Sequence, residues 1–258
     1  MCRKLLLLIS AAFVVVLAGN ASAAAEWWVG HVSSDWDDNR NWSYAGGGSW
    51  IPTSDTGANM GKSGIPDINF PLVITSSDDL ECAGMWAYAG EVNKLQDSSW
   101  SMTGGSLACY GAITLGCMGS DANATFTITG GEVNAVGQTL TIGTHFDVFS
   151  TGAGVLNMSA PGPTVNVRRI YLSAVPGRGI FNLNAGTINV GDLGLIMSAG
   201  GSMDITNGTM TIAGDRMIEI GDYSKAGWIT AYGGTVARAY PRAAYDPGTD
   251  KTTITAYT

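Results

Sequence analysis

A short phrase of alternating apolar and polar residues recurs along this chain and limits what the chain can fold into. Residues 181–192 read FNLNAGTINVGD, and residues 203–215 read MDITNGTMTIAGD. Apolar side chains occupy every second position on both sides of a glycine, which is the pattern of two half-buried strands joined at a sharp corner. One such unit is too small to bury its apolar face by itself. The repetition therefore predicts that successive units stack on one another.

Each repeat contains three of these phrases, and their apolar pairs align between residues 100 and 220. The first phrases contain Trp100/Met102, Phe126/Ile128, Leu156/Met158, Phe181/Leu183 and Met203/Ile205. The second phrases contain Leu107/Cys109, Val133/Ala135, Val165/Val167, Ile188/Val190 and Met210/Ile212. The third phrases contain Ile113/Leu115, Leu140/Ile142, Ile170/Leu172, Leu195/Met197 and Ile218/Ile220.

Three short strands per unit, each stacked in parallel on the equivalent strand of the next unit, predict an all-β fold. We expect a single-stranded parallel β-helix, or β-solenoid, of about five to seven coils over residues 73–222. No window of the repeats predicts a helix of ordinary length. Successive first phrases from Phe126 onward are 30, 25 and 22 residues apart, so the differences in length should lie in loops that project outward.

The two ends of a solenoid expose strand edges that invite aggregation, so we expect a cap at each end. Residues 24–72 are unlike the repeats and are predicted to form the N-terminal cap, while residues 223–258 are predicted to supply C-terminal capping strands. Both segments contain several aromatic residues, among them Trp27, Trp28, Trp36, Trp42 and Trp50 in the first and Trp228, Tyr232, Tyr240 and Tyr245 in the second.

The first 23 residues have the layout of a secretory signal peptide. Arg3 and Lys4 precede an apolar run over residues 5–17, and small residues end the segment at positions 21–23. Its removal takes two of the 13 basic residues and none of the 21 acidic ones, which leaves a net charge of about −10. This charge argues against a nucleic-acid partner. We expect an exported protein with no membrane span after signal removal, since no second long apolar run follows.

Several motifs of this chain resemble those of secreted planctomycete-type β-helix repeat proteins. They are DWDDNRNWS followed by IPTSDTGANMG, the repeats FNLNAGTINVGDL and SMDITNGTMTIAG, and the C-terminal pair WITAYGGTV and YDPGTDKTTITA. The repeats are also similar, more loosely, to autotransporter-like and pectate-lyase-like parallel β-helix repeats. The resemblance covers nearly all of the chain after residue 23. It implies an extracellular β-helix from a group in which most members have no assigned activity.

The acidic segment that begins at Asp35 has the start of a calcium-binding loop. Asp35, Asp37 and Asn39 place oxygen ligands at the first, third and fifth positions, a spacing that suits a hard cation. The sixth position is Arg40 and the twelfth is Gly46, where such a loop needs glycine and glutamate. The alternative is a polar turn between two buried tryptophans, in which the Asp and Asn side chains bond to their own backbone. No other cofactor is predicted.

The aligned second phrases also predict an ion ladder along one corner. Counting onward from Val167 and Val190 places Arg169 over Asp192, and Asp215 lies one coil further at a similar corner. We interpret this as a surface ladder in which each pair contributes little to stability. The alternative interpretation is a catalytic site of an arginine and carboxylates.

A parallel β-helix is also a fold of polysaccharide lyases and glycoside hydrolases, which need carboxylates brought together beside the sugar. The alignment instead places Glu132, Asp192, Asp204 and Glu219 at different corners or strands. We therefore predict an exported, non-catalytic β-solenoid with a structural, adhesive or polysaccharide-binding role at the cell surface or outside the cell. A β-helix lyase or hydrolase is the alternative.

Aromatic residues of the early coils are candidates for stacking on sugar rings of an extracellular polysaccharide. These residues are Trp86, Tyr88 and Tyr110. The alternative is that their side chains fill corners and caps of the solenoid.

Alignment of LEC at residue 82 with LAC at residue 109 places Cys82 and Cys109 side by side on adjacent coils. We expect these two residues to be buried thiols, because a disulfide between parallel neighbours would be strained; a bridge is the alternative.

Overall fold

The computed structural model describes residues 25–28, 32–44, 51–53, 57–60, 72–83, 85–88, 98–117, 123–143, 153–173 and 178–258. The predicted signal peptide lies outside the described residues. The described strands in chain order are β1 (Ala25–Trp28), β2 (Trp42–Tyr44), β3 (Gly57–Met60), β4 (Leu72–Ile74), β5 (Asp79–Cys82), β6 (Met85–Tyr88), β7 (Ser98–Cys109), β8 (Ile113–Cys117), β9 (Asn123–Ile142), β10 (Ala153–Met158), β11 (Thr164–Leu172), β12 (Arg178–Leu183), β13 (Thr187–Met197), β14 (Gly201–Ile205), β15 (Thr209–Ala213), β16 (Ile229–Ala231), β17 (Tyr240–Asp246) and β18 (Lys251–Tyr257).

The strands form three parallel stacks that run along one axis. The first stack contains β4, β7, β9, β10, β12, β14 and β16. The second contains β5, β7, β9, β11, β13 and β15. The third contains β1, β3, β6, β8, β9, β11 and β13. Long strands such as β9 bend at the corners and contribute to more than one stack. The predicted parallel β-solenoid is confirmed, with about five turns.

The core is a column of apolar side chains in which register partners lie over one another. Phe126, Leu156, Phe181 and Met203 are successive partners in the first stack, and each side chain is at most 1% exposed. The rings of Trp100 and Phe126 stack with their centroids 4.1 Å apart. The alternating pattern of the sequence thus assigned the inward positions of this stack correctly, because strands place alternate side chains on opposite faces.

One prediction about the last coil is wrong. The pair Ile218/Ile220 was expected to form a third-phrase strand, but these residues lie in the helix α1 (Met217–Lys225). The Asp215 carboxylate accepts a hydrogen bond from the Met217 backbone N–H and so helps to start the helix. Ile220 is buried and Tyr223 packs against the core, whereas Ile218 is 81% exposed. Residues three apart share a face of a helix, so this burial pattern fits a helix and not a strand.

The predicted N-terminal cap contributes strands as well as aromatic side chains. β1 pairs in parallel with β3, and β3 pairs in parallel with β6, so both continue the third stack. Trp28, Trp36 and Trp42 are nearly fully buried, and their rings meet edge to face at centroid distances of 5.0 and 4.8 Å. The side chain of Trp27 and the whole of Trp50 lie outside the described residues.

The predicted C-terminal capping strands are present. β18 pairs antiparallel with β15, the last strand of the second stack, and β17 pairs antiparallel with β18. The ring of Trp228 stacks on Tyr223 of α1 at 5.8 Å, and both pack against the core. In the described part of the chain, no helix has the length and apolar character needed to cross a membrane.

Candidate functional site

The outward surface of the last three strands of the second stack, β11, β13 and β15, is a regular array of short, uncharged polar side chains. We call it the Thr/Asn face and define it by Thr164, Asn166, Thr187, Asn189, Thr209 and Thr211. The three threonine–asparagine or threonine–threonine pairs lie in register on β11, β13 and β15, and all six side chains are partly exposed. The residues between them point inward and are at most 5% exposed. Packing of these inward side chains in the core holds the three strands, and with them the face, in position.

Hydrogen bonds connect the side chains of this face from coil to coil. Asn166 Nδ2 donates to Asn134 Oδ1 at 2.8 Å, and Asn189 Nδ2 donates to Asn166 Oδ1 at 2.8 Å. Thr211 Oγ1 then donates to Asn189 Oδ1 at 2.7 Å. Asn166 Nδ2 also donates to Glu132 Oε1 at 2.9 Å. These bonds restrain the side chains of Asn166, Asn189 and Thr211, which lowers the entropy that a ligand must remove on binding to them.

The Thr/Asn face is a grid of hydroxyl and amide groups with a fixed repeat. Neighbouring coils are about 4.8 Å apart, and residues two apart along a strand are about 6.6 Å apart. Each asparagine amide and threonine hydroxyl keeps hydrogen-bonding capacity beyond the bonds within the ladder. Such a surface can exchange hydrogen bonds with an extended ligand that carries many hydroxyl groups.

The Thr/Asn face was missed by the sequence interpretation, which singled out charged and aromatic residues. Its signal was an asparagine at one position of the second phrase, in VNA at residues 133–135, VNV at 165–167 and INV at 188–190. The alternation showed that these asparagines point outward. Their mutual contact follows only from the register, since stacked coils bring like residues together.

The outward surface of the first stack is less uniform. Asn182 Nδ2 donates to Asn157 Oδ1 at 2.7 Å, so a second amide contact exists there. The next coil has Asp204 at this position, and its carboxylate accepts hydrogen bonds from Thr230 Oγ1 and Gly233 N, both at 2.7 Å. This carboxylate therefore ties the C-terminal segment to the last coils.

The predicted calcium segment forms a polar turn, and calcium binding there stays a prediction. The Asp37 backbone N–H donates to Asp35 Oδ1 at 3.0 Å, and the Arg40 N–H donates to Asp38 Oδ1 at 3.0 Å. Asn39 begins a 3₁₀ turn, Asn39–Asn41, between two buried tryptophans. Partial burial, with the nearby Asp35 carboxylate, raises the pKa of Asp37. Within the described residues, no three His, Cys, Asp or Glu side chains are grouped to hold a metal ion.

The prediction that Arg169 pairs with Asp192 at this corner is wrong. Asp192 pairs with Arg168, whose Nε and Nη2 donate to its two carboxylate oxygens at 2.9 and 3.2 Å. Val167 pairs with Val190, but Arg169 pairs with Gly194, so the corner of β13 contains two extra residues. This bulge turns Arg168 toward Asp192.

Asp215, the third member of the predicted ladder, does not continue it. Its carboxylate accepts from the Met217 N–H at the start of α1. The neighbouring Arg216 instead reaches back by one coil, where Nη2 donates to the Asp192 carbonyl oxygen at 2.7 Å. Arg169 Nε is buried and has no hydrogen-bond partner among the described residues.

Replacing Arg168 with alanine is expected to raise the pKa of Asp192 toward its ordinary value. The hydrogen bond from Arg168, followed by its charge, now holds this pKa low. Because the pKa is lowered in the folded state, the stabilisation is complete above the unfolded-state pKa of about 3.9 and is lost as the pH falls through the folded-state pKa. NMR titration of the Asp192 carboxyl carbon measures the shift. Arg169→Ala is the matched control, and a shift in that variant alone would contradict the assignment.

Four outward carboxylates considered for catalysis lie in four separate places, as predicted. Glu132 is on β9 in the second stack, Asp192 is at the corner of β13, Asp204 is on β14 in the first stack, and Glu219 is on α1. All four have close partners. Glu132 accepts from Asn166, Asp192 pairs with Arg168, Asp204 accepts from Thr230 and Gly233, and Glu219 pairs with Arg216 at 3.2 Å.

The three candidate sugar-stacking residues do not share one strand. Trp86 and Tyr88 belong to β6 in the third stack, and their side chains lie outside the described residues. Tyr110 directly follows β7 at the margin of the second stack and is 57% exposed. Its hydroxyl donates to Glu81 Oε2 at 3.4 Å, and its carbonyl accepts from Gln138 Nε2 at 2.6 Å. Its ring is therefore held at the edge of the surface that continues into the Thr/Asn face.

Cys82 and Cys109 are register partners on adjacent coils, as predicted. Both are buried and present as thiols, with their sulfur atoms 3.4 Å apart. The hydrogen bond with Cys82, together with burial, raises the pKa of Cys109 well above its ordinary value. The thiol form is thus favoured, and thiols in this form are weak nucleophiles.

Comparison of the chain with family models, with curated proteins and with solved structures found no match in any of the three. The function is therefore inferred from the side chains of this protein alone.

Proposed function

We propose that this protein is an exported, non-catalytic β-solenoid that binds an extended polysaccharide through the Thr/Asn face, at the cell surface or outside the cell. The observation that carries the proposal is the hydrogen-bonded ladder from Asn134 through Asn166 and Asn189 to Thr211. It supplies a flat, repeating and rigid set of hydrogen-bonding groups. An adhesive or structural role follows from a rigid body that attaches to a polymer.

The chemistry of the face suits a hydroxyl-rich polymer better than an ionic ligand. The six side chains of the Thr/Asn face are uncharged, so they exchange hydrogen bonds with water for hydrogen bonds with hydroxyls at little desolvation cost. The grid repeats along the solenoid axis, and a polymer chain with repeating sugar units can use several coils at once. Individually weak contacts then add up along the chain.

Tyr110 supplies a complementary contact at the margin of the same stack. An exposed aromatic ring packs against the flat apolar face of a sugar ring, while hydroxyl groups at the sugar's rim remain free for hydrogen bonding. The ring is 57% exposed, and its hydroxyl is anchored to Glu81. This anchoring fixes the ring before a ligand arrives, which favours binding.

Export is supported by the sequence of residues 1–23, with its basic start, apolar run and small residues at the end. A net negative charge further suits an extracellular partner that is not a nucleic acid. Together with the Thr/Asn face, these features point to a polymer outside the cell.

The test is retention of the protein on insoluble polysaccharides, both neutral and acidic, with soluble product measured in the same samples. Thr187→Arg places a long charged side chain in the middle of the Thr/Asn face and is expected to abolish retention. Thr125→Arg adds the same charge on the first stack, where Thr125 is also partly exposed, and should leave retention unchanged. Equal loss in both variants contradicts the proposed face. Release of reducing sugars or unsaturated products would instead support the lyase or hydrolase alternative.

A further inference from the structure

The C-terminal end of the solenoid finishes in a strand with an open edge. β17 pairs with β18 along one side, and its other edge has no register partner among the described strands, although α1 and β16 lie close to β17. Its outward residues Tyr240, Arg242, Ala244 and Asp246 are all exposed. An unpaired edge presents backbone N–H and C=O groups that can pair with another strand.

This open edge belongs to the same sheet as the Thr/Asn face. Thr211 is the register partner of Thr253, and Thr253 is in turn the partner of Ala244. The outward row of the second stack therefore continues through β18 to β17. A strand added to β17 would lengthen that sheet along the solenoid axis.

Exposed apolar side chains are concentrated at this end of the molecule. Of the large apolar side chains that are exposed in the described part, five lie on α1 or beyond it in the chain, namely Met217, Ile218, Val236, Tyr240 and Tyr257. Side chains of this kind are typical of the contact surfaces of proteins when they occur together.

The charges on β17 are complementary to a second copy of the same strand. An antiparallel pair of β17 strands with its two-fold axis at Ala244 places Arg242 of one copy opposite Asp246 of the other, and the pairing occurs twice. Opposite charges at facing positions stabilise a strand pair, and like charges destabilise it. Ala244 has a small side chain, which lets the two strands meet at the axis.

Both charged groups are held in place before any contact forms. The Arg242 guanidinium lies 5.6 Å from the centroid of the Tyr257 ring. The Asp246 carboxylate accepts hydrogen bonds from the Gly248 N–H and Thr249 Oγ1, each at 2.9 Å. The bond from the Gly248 N–H is the main cause of the lowered pKa of Asp246, so this group is charged at neutral pH.

We propose that the protein forms a two-fold dimer through antiparallel pairing of β17 with β17 of a second copy. Arg242 and Asp246 set the register, and the two Thr/Asn faces become parts of one continuous sheet. The dimer does not depend on the proposed polysaccharide binding, because it is argued from the edge and its charges alone.

The test is the weight-average mass of the full chain by analytical ultracentrifugation over a range of concentrations. The parent protein should approach twice the monomer mass. Arg242→Asp and Asp246→Arg each place like charges opposite one another, and each should raise the dimer dissociation constant about tenfold or more. Asp222→Arg, an exposed charge reversal on α1, should leave it unchanged.

Mixing the two single variants provides the decisive measurement. Arg242→Asp in one copy faces Asp246→Arg in the other at one contact, and the native Asp246 and Arg242 face each other at the second contact. The mixture is therefore expected to form a heterodimer more tightly than either variant dimerises alone. The double variant with both reversals should again dimerise. A parent protein that is monomeric at every concentration, a mass that grows beyond two copies, or a dimer insensitive to both reversals would overturn the proposal. Retention on polysaccharide is measured separately, so failure of one proposal is distinguishable from failure of the other.

Discussion

Replacing Ile188 with aspartate is expected to lower the free energy of unfolding by several kcal/mol, on the order of 3–5 kcal/mol. Ile188 is 0% exposed and lies between its register partners Val165 and Met210 in the central column. A carboxylate there loses its hydration and gains no partner. Chemical denaturation followed by circular dichroism measures the change, provided that the variant folds; a variant that fails to fold at all agrees with the same account.

Thr187→Asp is the matched control for this substitution. Thr187 is the preceding residue on the same strand, is partly exposed and has threonines as register partners on both sides. Its replacement should change the free energy of unfolding by no more than about 0.5 kcal/mol. Equal losses for the two variants would mean that the inward and outward positions of β13 are assigned incorrectly.

Replacing Gly105 with alanine is expected to cost about 3 kcal/mol or more. Gly105 has a φ of +72°, a conformation that costs about 1–2 kcal/mol for a residue with a Cβ. An added Cβ would also lie 2.3 Å from the carbonyl oxygens of both Thr75 and Asp78 on the preceding coil. These oxygens cannot retreat easily, because they accept the backbone N–H groups of Asp78 and Ser106. The coils must therefore separate at this corner.

Gly137→Ala is the control for the corner substitution. Gly137 has no positive φ, and an added Cβ would meet nothing within 4 Å. Alanine at such a position restricts the unfolded chain and should leave stability unchanged or raise it by up to about 1 kcal/mol. Thermal unfolding of both variants in parallel gives the comparison. A Gly105→Ala variant as stable as Gly137→Ala would contradict the tight stacking of the first two coils at this corner.

The repeating part of the fold was predictable because one physical signal dominates it. Alternation of apolar residues assigned the inward side chains of the first and second phrases, and the loose period of the phrases implied parallel stacking. The side-by-side placement of Cys82 and Cys109 followed from the same alignment. Each of these inferences needs only the two-residue period of a strand and the rule that like residues stack.

The prediction was wrong where local chain geometry departs from the repeat. Two extra residues at the corner of β13 shift the register by two. Asp192 therefore forms its ion pair with Arg168 and not with Arg169. Ile218 and Ile220 alternate as a strand would, but β18 occupies the edge of β15 and the intervening chain forms α1. The alternation of apolar and polar residues does not reveal a bulge, and it does not reveal that a strand from the end of the chain pairs with an earlier one.

The candidate site was predicted only in part, because its chemistry depends on contacts between coils. Tyr110 was singled out as a candidate for sugar stacking; it is exposed, and its role in binding stays a prediction. The hydrogen-bonded ladder through Asn166 and Asn189 was not predicted. Single asparagines in a strand are common, and only the register between coils shows that their amides are in contact. A search for polar residues at equal positions of aligned phrases would have found them.

The most direct test of the stacked coils is a methyl NOE measurement at Ile188. Val165 and Met210, its register partners on the coils before and after, are each at most 1% exposed. With these three side chains labelled, the methyl groups of Ile188 should show strong cross-peaks to both partners, because neighbouring coils are about 4.8 Å apart. Cross-peaks to one partner only, or to neither, would contradict the continuous column on which the Thr/Asn face and its proposed function depend.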